Sequence, residues 1–113
     1  MGATTFGNLS IGKFKSARES YSQEVEEAEY EHGHDCYNGT ISTTDGFCLK
    51  SSSPRYGTKS FYKWEEKIID NMDKGDCVAV EVKGSILKKL KERWGFKGKR
   101  GIKAFYFFGW ARC

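Results

Sequence analysis

Ile102-Lys103-Ala104-Phe105-Tyr106-Phe107-Phe108-Gly109-Trp110 decides the architecture of this chain. Alternate residues of a strand point to opposite faces, and here both sets are mainly apolar, which suits a strand covered on both sides in the middle of a sheet. Just before it, Gly95, Gly98 and Gly101 interrupt any regular pattern and mark a loop. Further back, Ser85 opens a short helix whose Ile86, Leu87, Leu90 and Trp94 are expected to face inward, with Lys88, Lys89, Lys91, Glu92 and Arg93 toward water. Val78, Val80 and Val82 alternate in a half-buried strand over 77–82.

The same periodicities organise the rest. Phe61, Trp64, Ile68 and Met72 recur at three- and four-residue steps from Ser60 until Gly75, which predicts a second long helix. Residues 51–57, with the single proline, read as a loop. Ile41 and Thr43, then Phe47, Cys48 and Leu49 after Asp45-Gly46, predict a tight hairpin or one bulged strand behind the turn Tyr37-Asn38-Gly39. Ser16 and Glu19 have capping-box spacing before an apolar stripe of Ala17, Tyr21, Val25 and Ala28, so a helix is expected over 16–32, ended by Gly33. Residues 4–11 predict a first strand closed by Gly12. The expected fold is α+β: a two-layer arrangement with a mainly antiparallel sheet of four to five strands, covered on one side by two longer helices and one short helix. With 113 residues, a single domain over 1–113 is expected.

Composition narrows the function classes. Charged residues make 30% of the chain and apolar ones 38%, which excludes a disordered chain and a membrane-embedded one. The longest apolar run, 104–111, is far short of the ~20 residues that span a bilayer. No apolar segment follows Met1, and Phe6 occupies the position where a myristoylation signal needs Ser or Thr, so a cytoplasmic protein without a membrane partner is expected. Cys36, Cys48, Cys77 and Cys113 form no C-x-x-C pair, which argues for free thiols and against a zinc ribbon or redox motif. No cofactor is implied.

Net charge is +4, but it is divided along the chain. Residues 1–50 hold four Lys/Arg and eight Asp/Glu, and residues 51–113 hold fifteen and seven. The acidic block is 19–35, with Glu24, Glu27, Glu31 and Asp35 as its candidate surface; the basic block is 83–103, where nine cations stand against Glu92 alone. Lys97, Lys99 and Arg100 are interleaved with the loop glycines, and with Lys88, Lys91, Arg93 and the ring of Phe96 they are candidates for contact with phosphate or nucleic acid. An acidic protein surface and a purely solubilising role remain open for the same residues. The loop is not a Walker A motif, because Gly98-Lys99 is followed by Arg100 and then a strand.

His32 and His34 lie between Glu31 and Asp35, the densest grouping of proton carriers in the chain. A helix-ending motif is the preferred reading of this cluster; the alternatives are a divalent-cation site and, if the protein is an enzyme, acid–base catalysis by His32 and His34, although the two-residue spacing around Gly33 is poor for either and no complete catalytic constellation surrounds them. The strand aromatics are expected in the core, and Tyr30, Tyr37, Tyr56 and Phe96 are the rings expected at the surface. Asp45, Asp70, Asp73 and Asp76 read as turn and cap residues.

Gly2-Ala3-Thr4-Thr5-Phe6, Gly12-Lys13, Ala17-Arg18-Glu19-Ser20-Tyr21, the segments from Val25 to His34 and from Tyr37 to Thr43, and the closing Phe107-Phe108-Gly109-Trp110-Ala111 resemble a group of small proteins of tailed bacteriophages, with Cys36 departing from the small or polar residue the resemblance leads one to expect. The likeness covers about the first 45 residues and the last few, leaving out most of the basic block. It implies an accessory protein working in the cytoplasm of a bacterial host and transfers no catalytic residue. The function expected from charge and resemblance together is binding: inhibition of a host defence or nucleic-acid-handling complex through the acidic and basic surfaces, the partner being a host protein or nucleoprotein. The alternatives are a binder of a phosphorylated nucleotide through residues 95–101, and a small phosphodiester- or nucleotide-acting enzyme using His32 and His34.

Overall fold

The structure is a computed structural model that describes residues 3–32, 40–50 and 52–112. Its elements are β1 (Ala3–Gly12), α1 (Ala17–His32), a 3-10 turn (Ile41–Thr43), β2 (Cys48–Lys50), α2 (Lys59–Asp70), β3 (Cys77–Val82), α3 (Gly84–Arg93) and β4 (Lys103–Arg112). The four strands form one mixed sheet in the order β1-β4-β3-β2. β4 runs antiparallel to both neighbours, while β2 is parallel to β3 and reaches it through α2. The α+β class and the central place of the 102–110 segment are as expected.

The helices are divided between the two faces of the sheet instead of lying on one. Phe105 and Phe107 of β4, with Cys77 and Ala79 of β3, pack under Ala17 and Ala28 of α1 and Ile41 of the 3-10 turn. Phe108, Val78 and Val80 point the other way, into a cluster with Phe61, Trp64, Ile68 and Met72 of the α2 segment. A strand apolar on both faces requires cover on both, and no single layer of helices supplies it. The sandwich therefore has a helical layer above and below the two inner strands.

Local chemistry explains the element ends. Ser16 Oγ accepts the Glu19 amide at 3.4 Å, but the Glu19 carboxylate reaches the Lys15 amide, one residue beyond the expected box partner. Thr58 caps α2 by accepting the Phe61 amide at 3.2 Å. The expected hairpin in 41–49 is replaced by the 3-10 turn and the short strand β2. Thr43 and Thr44 donate their hydroxyls to the carbonyls of Thr40 and Ile41 at 2.8 and 2.6 Å, a local pairing that competes with a strand ladder. Tyr37-Asn38-Gly39 lies outside the described residues.

The sheet is locked to the α2 side at Gly109, which pairs with Cys77. A Cβ at Gly109 would stand 2.1 Å from the Asp76 carbonyl oxygen and 2.9 Å from the Met72 methyl. The neighbouring Trp110 takes three hydrogen bonds across the same junction: its amide donates to Asp76 O, its indole to Ile69 O at 2.8 Å, and its carbonyl accepts the Gly75 amide. On α1, Ser20 is fully buried and its hydroxyl meets no partner among the described residues.

Two stability measurements test this packing. Gly109→Ala should lower the free energy of unfolding by about 3 kcal/mol, because the obstacle is backbone rather than a movable side chain. Ser20→Ala should raise it by about 1 kcal/mol, since a buried unpaired hydroxyl is removed and helix propensity improves. Urea titrations followed by circular dichroism read both.

Candidate functional site

α3 and the loop after it carry most of the basic block, and this region is the most weakly packed helical part of the fold. None of its residues is buried; Ile86, Leu87 and Leu90 are half-buried, and Lys88, Lys89 and Arg93 are exposed. The helix ends in a Schellman motif. Trp94 leaves helical geometry, Gly95 takes a left-handed φ of +81°, and the Phe96 amide returns to the Lys91 carbonyl at 2.7 Å. This reversal brings Phe96 back toward the helix end, half-buried, and leaves Trp94 54% exposed. The expectation that Trp94 faces inward is therefore corrected: its ring is more than half exposed.

The loop itself is ordered by its own bonds. The Lys99 amide donates to Phe96 O at 3.0 Å across Gly98, which has a φ of +76°. Lys91 spends its ammonium on the Lys99 carbonyl at 2.7 Å, and Lys99 Nζ sits 5.8 Å from the centre of the Phe96 ring. Lys97, Lys99 and Arg100 are exposed. Lys88, Arg93, Lys97, Lys99 and Arg100 thus share with Trp94 one exposed helix-and-loop unit, while Lys91 and Phe96 serve to hold its shape.

The acidic candidates sit elsewhere. α1 packs on β1, β4 and the 3-10 turn, and among the described residues shares no substantial packing with α3. α3 instead begins beside the 52–58 loop, where Arg55 donates to the Ser85 hydroxyl. Glu24, Glu27 and Glu31 line a shallow recess with Asn8 of β1. Burial, with the Glu27 carboxylate next in importance and Glu31 after it, pushes the Glu24 carboxyl up to about 7. Glu24 is on the half-buried side of the helix rather than fully at the surface. His32 closes α1, and His34 and Asp35 lie outside the described residues. Of the rings expected at the surface, Tyr30 is 93% exposed, Tyr56 is half-buried against Phe61 and Tyr106, and Tyr37 is outside the described residues.

An open cleft of about 700 Å³ lies between α1 and the starts of β2 and β3, lined by Arg18, Tyr21, Asp45, Phe47, Met72 and Asp76 among others. Asp45 and Asp76 both line it because the Asp45 amide donates to the Gly75 carbonyl at 2.9 Å, a long-range contact with no local signature. Asp76 does act as a cap, accepting the Asp73 amide at 2.9 Å. Cys77 at the cleft floor is buried, and that burial pushes its thiol up to about 12, which leaves it unreactive at neutral pH.

No family model matches the chain, nor does any curated protein or solved structure. Among the described residues, no group of three or more His, Cys, Asp or Glu is placed to hold a metal ion, and no helix is long and apolar enough to cross a membrane.

Glu24 gives this region a pH signature. Because its carboxyl is raised in the folded state, folding favours the neutral form; that contribution is complete below about pH 4.5 and is lost as pH rises through about 7. Glu24→Gln keeps the neutral form at every pH. It should leave the urea midpoint unchanged at pH 4 and stabilise the protein by about 1 kcal/mol at pH 8, a figure discounted for solvent screening.

Proposed function

We propose that this chain is a phage-type accessory protein that works by binding, and that α3 with residues 95–101 docks on a polyanionic element of a host nucleic-acid-handling or defence complex. The observation that carries the reading is Trp94, 54% exposed, on a unit with the exposed cations Lys88, Lys89, Arg93, Lys97, Lys99 and Arg100. Cations neutralise a phosphodiester backbone whatever its sequence, and an exposed indole offers a stacking surface for an unpaired base. Single-stranded nucleic acid, free or held in a nucleoprotein, is the partner chemistry that uses both. Cradling of a nucleotide phosphate by the loop is less well supported, because the Phe96 and Lys99 amides it would need are donated within the chain.

Fluorescence anisotropy with a labelled single-stranded oligonucleotide tests this at several salt concentrations. Engagement of three to six phosphates gives a log–log salt slope of roughly −2 to −4. Lys97→Glu, Lys99→Glu and Arg100→Glu together should flatten that slope by about 2 and weaken binding at least tenfold. Trp94→Ala should weaken binding by about 1–3 kcal/mol with the slope unchanged. Binding that ignores salt would overturn the proposal.

A further inference from the structure

β1 is an edge strand of ten residues, and among the described residues it pairs with β4 alone. Its register against β4 is continuous from Ala3 to Gly12 with no bulge. An antiparallel edge strand directs about half of its amides and carbonyls away from its neighbour, ready to pair with another strand. Folded proteins usually blunt such an edge with charges, proline, bulges or brevity. β1 has none of these: residues 3–12 contain no Asp, Glu, Lys, Arg or Pro. The opposite edge, β2, is only three residues long.

The surroundings of the edge specify what fits it. Phe6, Asn8 and Ser10 face the α1 side, since they pair with Gly109, Phe107 and Phe105 of β4. Above them α1 turns its two flanks to different neighbours. Tyr21, Ser22, Val25 and Glu26 line the flank beside Thr44, Asp45 and Gly46, whereas Glu24, Glu27 and Glu31 line the flank over Asn8, on the side of the sheet edge. A strand added to β1 would lie ~4.8 Å outside it, with same-face side chains ~6.7 Å apart. The acids rise along α1 by ~4.5 Å from Glu24 to Glu27 and ~6 Å from there to Glu31, steps comparable to the spacing of same-face side chains on a strand.

We infer that β1 is the docking edge for an extended lysine- or arginine-rich segment of another protein, which adds as a fifth strand and sets its same-face cations against Glu24 and Glu27. A second copy of this chain fits less well. Antiparallel pairing of β1 with itself keeps both α1 helices on one face and brings two glutamate flanks together, where like charges repel. A basic strand removes that repulsion. It also relieves the crowding that already disfavours charge on Glu24, whose carboxyl is raised to about 7 by burial and by its acidic neighbours. Main-chain pairing supplies the affinity and the acidic flank supplies the selectivity, the division of labour of strand-addition sites generally. This surface lies on α1 and β1 and is independent of the α3 reading.

The test uses the full chain and a fluorescein-labelled ten-residue peptide of alternating lysine and threonine. Saturable binding is expected, with slowed hydrogen exchange at β1 amides. The same peptide N-methylated at every amide keeps its charges and cannot donate to a ladder; it should bind at least about tenfold more weakly. Glu24→Gln with Glu27→Gln should weaken the parent peptide about fivefold, while Glu26→Gln on the opposite flank should not change its affinity. Equal binding of the methylated peptide, an unaffected double variant with a native circular dichroism spectrum, or no binding at all overturns the proposal. So does sedimentation of the free protein as a dimer whose β1 amides gain no protection from peptide.

Discussion

Phe105 and Phe107 on one face of β4 and Phe108 on the other are almost fully removed from water, and that two-sided burial sets the position of everything else. Each such ring contributes on the order of 2–3 kcal/mol when transferred from solvent, so neither face can be left uncovered. α1 answers the odd-numbered side with Ala17 and Ala28, small residues that let the helix approach the rings closely. α2 answers the other side with Phe61 and Trp64, the latter edge-on to Phe108 at 5.8 Å. Gly109 then fixes the registration, because the Asp76 carbonyl occupies the space a side chain would need.

With its apolar material committed to those two layers, the chain has little left with which to hold α3. Ile86, Leu87 and Leu90 are only half-buried, and the helix is tied down by the Arg55 contact to Ser85 at its start and the Lys91 contact to Lys99 at its end. A helix so dense in cations gains from this position, since deeper burial would strip water from ammonium groups for which the block offers Glu92 as its single carboxylate. Weak packing and high charge are two sides of one arrangement, and they leave Trp94 in the open.

The parts of the structure governed by periodicity were legible in the residues themselves. The stripe of Ala17, Tyr21, Val25 and Ala28, the stripe from Phe61 to Met72, and the doubly apolar 102–110 segment all formed the elements their spacing implies. Periodicity says that a helix has an inner face but not which face of the sheet receives it, and so the division of α1 and α2 between the two sides was not visible. Ile41 and Thr43 alternate with polar neighbours as strand residues do, yet the hydroxyls of Thr43 and Thr44 bond local carbonyls and close a 3-10 turn. Trp94 fits the apolar spacing of α3, yet the left-handed Gly95 reverses the chain just beyond it; the glycine was the available signal. That Asp45 and Asp76 line one cleft depends on the tertiary pairing of Asp45 with Gly75 and has no local trace.

The left-handed turns at Gly95, Gly98 and Gly101 have a thermodynamic corollary. Loops that carry clustered cations are often loose arms that become ordered only on contact, and their complexes lose affinity to that ordering. Here the Phe96 and Lys99 amides and the Lys91 ammonium have already fixed the loop during folding. Anything that binds this loop would therefore meet a backbone already held by its own hydrogen bonds, and less of the interaction would be lost to ordering it.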